Sequence, residues 1–340
     1  MSKRNSANVG GQALIEGILM RGPKGAVMAL RLPDGTIEVE PKKEKRLKDK
    51  YKVFAWPLLR GVAGFIESMV FGYKCLMESA DKSGFEENDE DLSKFDVWIN
   101  EKLGDKFMSV VGVLSLVFGL LLSFGLFVYL PVLAVDMFDK YLTGNTLLSW
   151  HPFFEGLLRV IILVIYMASV SRMKEIKRVF MYHGAEHKSI YCYENGEELT
   201  LENVKKQSRF HPRCGTSYLF VMVFVGILVS TVTIKIFPGL NEIRWLWTLV
   251  KVLIMPVIMG LGYELLKISG RYDNLFTKII SAPGLWMQRL TTQEPTDDII
   301  EVGIASLKAV IDDPNSGIVR ESASGDDSYG TINKSVGNID

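Results

Sequence analysis

Three of the four His and two of the three Cys in this chain fall between His183 and Cys214. Among the titratable residues, these are the types best suited to bind a metal or pass a proton. Residues 174–193 read as a helix, so His183 and His187, four residues apart, project from one face, as two ligands of one ion must. Glu186 stands between them in the run His183-Gly184-Ala185-Glu186-His187. In that pattern the imidazoles would hold a divalent metal, and the carboxylate would accept a proton from a water polarised beside it. Imidazole and thiolate donors favour zinc over magnesium or calcium. Zinc is therefore the expected cofactor and Glu186 the expected catalytic group.

Further ligands are sought in His211-Pro212-Arg213-Cys214, which precedes an apolar run, and in Glu264 near the end of another. Cys214 would lie at a helix N-terminus, where the backbone dipole favours thiolate. If His183, His187, His211 and Cys214 all bind, the site is closed and structural; with three protein donors it stays open for catalysis. Glu16, in a glycine-flanked stretch, is a further carboxylate candidate. Plainer readings stand beside these. The His pair could hydrogen-bond neighbouring helices, Cys214 could be a small buried residue, and Glu264 could pair with Arg271 or a basic loop residue. An acid inside a span is nonetheless a functional candidate.

Stepping outward, 39 basic against 39 acidic side chains leave no excess to neutralise phosphates, which argues against a nucleic-acid binder. The three Cys show no CxxC spacing, so a reducing compartment is expected. Residues 1–17 lack the apolar core of a secretory signal. The apolar residues instead pool into four runs, 107–135, 153–171, 216–236 and 245–266, each long enough to cross about 30 Å of hydrocarbon. Glu155 and Arg159, one turn apart, should pair within the second. Pro256 should kink the fourth. Lys and Arg crowd residues 42–52 and 172–213 but are sparse in 136–152 and 237–244. Positive residues stay in the cytoplasm. The expectation is a predominantly α-helical, polytopic plasma-membrane protein with four transmembrane helices and both termini cytoplasmic.

The remaining segments frame these spans. Residues 1–54 should be β-rich: 26–32 and 36–40 flank the turn Pro33-Asp34-Gly35 and could join 12–20 in a three-stranded sheet. Residues 55–80 read as an amphipathic interfacial helix, with Arg60, Glu67 and Lys74 on one stripe. A polar linker and lead-in helix (81–106), the basic loop (172–215) and a cytoplasmic segment (267–314) follow. The last should be irregular over 281–295, then helical from a cap at Asp297, and residues 315–340 should be disordered. His151 reads as a loop residue, and Trp56, Trp245, Trp247 and Trp286 as interfacial anchors.

Longer motifs carry a resemblance. The runs GGQALIEGILMRGP (10–23), YHGAEHKSIYCYE (182–194), RFHPRCGTSYLF (209–220) and PGLWMQRLTTQEP (283–295) look like the YqhQ family of bacterial membrane proteins, a domain of unknown function. The resemblance covers residues 8–312 and implies a metal-dependent enzyme without an established reaction. The pattern His-x-x-Glu-His also resembles that of inverzincins, from which only the ligand geometry is carried over. The first functional expectation is thus a cytoplasm-facing, membrane-embedded metal-dependent hydrolase acting on a lipid-linked or membrane-protein substrate. The alternatives are a scaffold or assembly factor with a structural metal or none, and, behind it, a metal or ion transporter. The partners expected are the bilayer and that substrate, with homo-oligomers left open and nucleic acid excluded.

Overall fold

The computed structural model describes residues 2–3, 9–44, 47, 51–84, 114–115, 117–144, 146–147, 150–240 and 242–311. The expectations for the linker at 85–106, for the start of the first span at 107–113 and for the tail at 315–340 lie outside these residues. The chain divides into two compact units, one drawn from Met1–Gly84, Tyr166–Met222 and Pro256–Asp340, the other from Phe85–Ile165 and Val223–Met255.

In the first unit β1 (Ser2–Lys3) pairs with β6 (Tyr272–Asp273), while β2 (Gly10–Leu14), β3 (Gly17–Gly22), β4 (Gly25–Arg31) and β5 (Ile37–Lys42) form an antiparallel sheet in sequence order. The expected three strands are four, because the run read as one strand over 12–20 is itself a hairpin, with Leu14 opposite Gly17. Glu16 makes that turn at φ 52°, a left-handed position that a Glu does not advertise in sequence. Gly17 is required there, since a Cβ would meet the Ala29 carbonyl oxygen at 2.4 Å.

Both faces of the sheet are covered, so β3 and β4 are apolar in both phases of their alternation. Leu14, Leu19, Met28 and Leu30 pack with Cys75 of α1 (Leu59–Lys82). On the opposite face Ile18, Met20, Val27 and Ala29 meet Tyr182 and Ala185 of α4 (Lys174–Glu194) and Ile299, Val302 and Val310 of α9 (Asp297–Val310). Thr296 is the N-cap of α9 and Asp297 its first residue, one position along from the expected cap. Glu16 ties sheet to helix, accepting hydrogen bonds from Arg178 and, at 3.0 Å, from the Tyr182 hydroxyl. Burial and the Glu16 charge push the Tyr182 phenol far above its ordinary range.

Residues 281–295, expected to be irregular, belong largely to α8 (Leu275–Thr291). Asn274 and Thr277 form a reciprocal capping box at its start, and the buried face of Thr277, Ser281, Gly284, Met287 and Gln288 carries the helix through Pro283.

Among the described residues four helices are long and apolar enough to cross a membrane: α2 (Val117–Thr143), α3 (His151–Val170), and the stretches Tyr218–Ile236 of α6 (Gly215–Ile236) and Arg244–Ile268 of α7 (Arg244–Arg271). The first runs eight residues beyond its expected end at 135, because Asp136 and Asp139 find partners inside the second unit. Asp136 accepts from Arg244 at 3.1 Å. Asp139 accepts from the Leu147 amide at 3.0 Å and lies 2.8 Å from His151 Nε2. His151 is thus a buried helix-start residue and not a loop residue. Nor do Glu155 and Arg159 pair with each other. Glu155 is held by Lys251 and by the Trp247 indole at 3.2 Å, whereas Arg159 donates to the Phe127 carbonyl in a π turn at 2.7 Å. Trp247 is accordingly a fully buried partner and no interfacial anchor.

Candidate metal centre

The histidine pair sits on α4, and three segments converge on it within the first unit. Gly184, between the two imidazoles, lies where a Cβ would meet the Gln293 carbonyl oxygen at 2.2 Å. Its missing side chain lets the segment after α8 run against α4, where the Gln293 amide donates to the Phe180 carbonyl at 2.9 Å. This approach delivers the Thr291 carbonyl to His183 Nδ1 at 2.8 Å. The Arg209 carbonyl reaches His187 Nδ1 at 2.5 Å. A carbonyl can only accept, so in both rings Nδ1 carries the hydrogen and Nε2 keeps its lone pair. That is the tautomer a metal-ligating His requires, fixed as outer-shell carbonyls commonly fix it.

Cys214 supplies the third donor. Its Sγ lies 3.1 Å from His183 Nε2, and the ligand atoms of His183, His187 and Cys214 all fall within 4.8 Å of one another. Donors about 2.0–2.3 Å from a tetrahedral zinc stand roughly 3.5 Å apart, so this donor set fits such an ion with small adjustments. The other two thiols are unlike it. Cys75 is buried in the sheet core, and burial pushes the Cys192 thiol up to about 11.

Glu186 is on the same helix, 5% exposed, and its carboxylate has no hydrogen-bond or ion-pair partner among the described residues. Gly11 of β2 makes the space for it, since a Cβ there would meet the Glu186 Cγ and Cδ at 3.0 Å. A cation on the three donors, which begin one residue away on the helix, would give this carboxylate a charge partner.

The other candidates are engaged elsewhere. Gln288 clamps the His211 peptide, accepting from its amide at 2.7 Å and donating to its carbonyl at 2.8 Å, while His211 Nε2 stands 3.4 Å from Glu194. His211 is therefore outside the three-donor group, although its ring centroid is 5.6 Å from that of His187. Glu264 is held by both Nε and Nη2 of Arg60 on α1, each at 2.6 Å, and not by a basic loop residue. The groups that sequence reasoning missed are Gln288 and the carbonyls of Thr291 and Arg209. Main-chain acceptors leave no trace in residue types; Gly184 inside the His run was the one available sign of a close approach.

Three donors with no fourth protein ligand in the group are the pattern of an open rather than a closed site. The Cys214 and His183 contact alone would also suit a thiol nucleophile beside an imidazole base. That chemistry has no use for the second imidazole, held in the same tautomer one turn away.

A two-faced sheet between helices, four candidate membrane-spanning helices and a His/His/Cys cluster make this a mostly helical protein with a candidate metal centre. The chain belongs to the family described as protein of unknown function (DUF1385), whose model matches residues 56–313. It is similar to the uncharacterized protein YqhQ of Bacillus subtilis (strain 168), with 34% identity over 304 residues, covering 89% of this chain and 92% of that one. No solved structure matches the chain.

Proposed function

We propose that the chain is a membrane-embedded, metal-dependent hydrolase whose centre faces the cytoplasm. The observation that carries this reading is the pair of His183 and His187, each with Nδ1 committed to a main-chain carbonyl, gathered with Cys214. These three residues would hold zinc, the ion that imidazole and thiolate favour. When bound, zinc supplies Lewis acidity to a water or to the substrate. Glu186 is the chain's own group for taking and returning a proton, buried beside the donors and unspent on any described partner. The Thr291 and Arg209 carbonyls hold the two rings in the ligating tautomer, and Gln288 fixes the turn that leads to Cys214.

The basic residues between α3 and α6 support a cytoplasmic position for this centre, with both termini on the same side. Exposed Ile66, Met69, Val70 and Tyr73 on α1, and Leu275, Phe276 and Ile279 on α8, support interfacial placement of both helices. A substrate borne by the membrane suits that location.

The test is elemental analysis of the detergent-purified chain. Near-stoichiometric zinc is expected in wild type and in Glu186→Gln, and its loss in His183→Ala and His187→Ala. A screen of hydrolysable membrane substrates should then find turnover in wild type that Glu186→Gln lacks. Folded wild-type protein that takes up no zinc, even when zinc is supplied, overturns the proposal in favour of a scaffold.

A further inference from the structure

A cavity of about 220 Å³ is lined by Pro212, Arg213, Tyr263, Leu266 and Lys267. It is too small for a whole lipid or a drug-sized ligand, which need roughly 300–1,000 Å³, but it has room for a headgroup. Its position is informative. Arg213 is the chain neighbour of Cys214, so the cavity begins about 3.8 Å along the backbone from a candidate metal ligand. Tyr263, Leu266 and Lys267 close the apolar stretch Arg244–Ile268, and Arg213 comes just before the stretch Tyr218–Ile236. The cavity therefore lies where two candidate spans end.

Its charge is also specific. The carboxylates nearest in sequence are already taken, Glu264 by Arg60 and Glu194 by Arg213 and His211. Lys267 is half-buried and makes no hydrogen bond or ion pair among the described residues, although its charge acts at longer range on Glu264, which Arg60 already holds. The N-terminal end of α6, a helix of 22 residues that begins at Gly215, adds the positive end of its dipole to the same side. The walls otherwise are the side chains of Pro212, Tyr263 and Leu266. A cationic pocket with apolar walls at the end of two spans fits an amphiphile with an anionic head.

We propose that this cavity seats the phosphate headgroup of a lipid substrate, with Lys267 as its main cationic contact, and so presents that lipid to the His183, His187 and Cys214 centre. The inference rests on the metal-centre reading and names the substrate class for it. Lys267 is a binding residue here, outside the donor set.

The test uses the full chain in non-ionic detergent, titrated with short-chain phosphatidate, short-chain phosphocholine lipid and inorganic phosphate, and read by native mass spectrometry. One saturable phosphatidate per chain is expected. Lys267→Gln should weaken it about tenfold, the effect of losing one charge-assisted contact. Lys267→Arg should largely retain it, and Lys177→Gln, at an exposed basic position elsewhere, should leave it unchanged. Phosphate that binds as tightly as phosphatidate would overturn the lipid as its source, as would phosphocholine lipid binding equally well. Equal weakening by Lys267→Gln and Lys177→Gln would overturn the site. Zinc is measured in the same samples. Full zinc without Lys267-dependent phosphatidate binding overturns this inference alone, whereas folded protein that refuses zinc overturns the metal reading, whatever the lipid arms show.

Discussion

The two units bury the same kinds of side chain and use them in opposite ways. In the second unit His151 gives its Nε2 to Asp139, and Glu155 is held by Lys251 and Trp247. Every one of these groups is spent on a neighbour. In the first unit His183 and His187 give Nδ1 to main-chain carbonyls, His183 Nε2 faces only the Cys214 thiol, and Glu186 has no described partner. Burial is similar in the two places, with Glu155 at 2% and Glu186 at 5% exposed. What separates structure from candidate chemistry here is the remaining valence: lone pairs and charge left over after the fold has been satisfied.

The comparison breaks most visibly at Glu155. Glu155→Ala should cost about 3–5 kcal/mol, because it strands the Lys251 ammonium in an apolar unit. The double variant Glu155→Ala with Lys251→Met should recover most of that loss, as measured by denaturant unfolding in detergent. A single variant as mild as the double would mean that the pair is not what satisfies these groups. Next in size is the response to zinc. An ion bound only by the folded state stabilises by about 4 kcal/mol at a thousandfold excess over its Kd. That gain should appear in wild type and in His151→Ala, and vanish in His187→Ala. If His151→Ala also abolishes it, the two histidine settings are not distinct. Smaller again is Gly184→Ala, whose Cβ would press on the Gln293 carbonyl. Shifting that segment should cost about 1–3 kcal/mol and, through the displaced Thr291 carbonyl, weaken zinc by about 10–100-fold. Unchanged affinity would remove the carbonyl from the argument.

The legible parts of the sequence were those in which one residue type decides one outcome. Long apolar runs marked four helices able to cross a membrane, and the four-residue spacing of His183 and His187 placed both on one face of α4. Cys214 was within reach of the same argument because it follows His211 so closely. Partner choice was not legible. Glu155 has Arg159 one turn away and takes Lys251 from another helix, and Glu264 takes Arg60, 204 positions away. Charge spacing along one helix proposes local pairs, but packing decides among all cations brought near. The hairpin at Glu16 and the helix through Pro283 were hidden for a related reason. In each, a local preference was overruled, by the Arg178 and Tyr182 contacts in one case and by the buried face around Ser281, Gly284 and Met287 in the other.

A third carboxylate gives the comparison its smallest test. Glu40 of β5 is only partly buried and accepts from Lys42 at 2.7 Å and from Lys82 of α1. Burial acts to raise its pKa, but the two ammonium hydrogen bonds outweigh that and hold the carboxyl below its ordinary value. A folded value lower than the unfolded one means that Glu40 stabilises the fold above the unfolded pKa of about 4.3 and loses this contribution as pH falls through the folded value. The difference in stability between wild type and Glu40→Gln should therefore be present at neutral pH and fade on acidification below about pH 4. It should stay under about 1 kcal/mol, since solvent screens an exposed network. Pairing would then count for much at buried Glu155 and for little at Glu40. A difference as large as that at Glu155 would show that partner number, and not burial, sets the energetics.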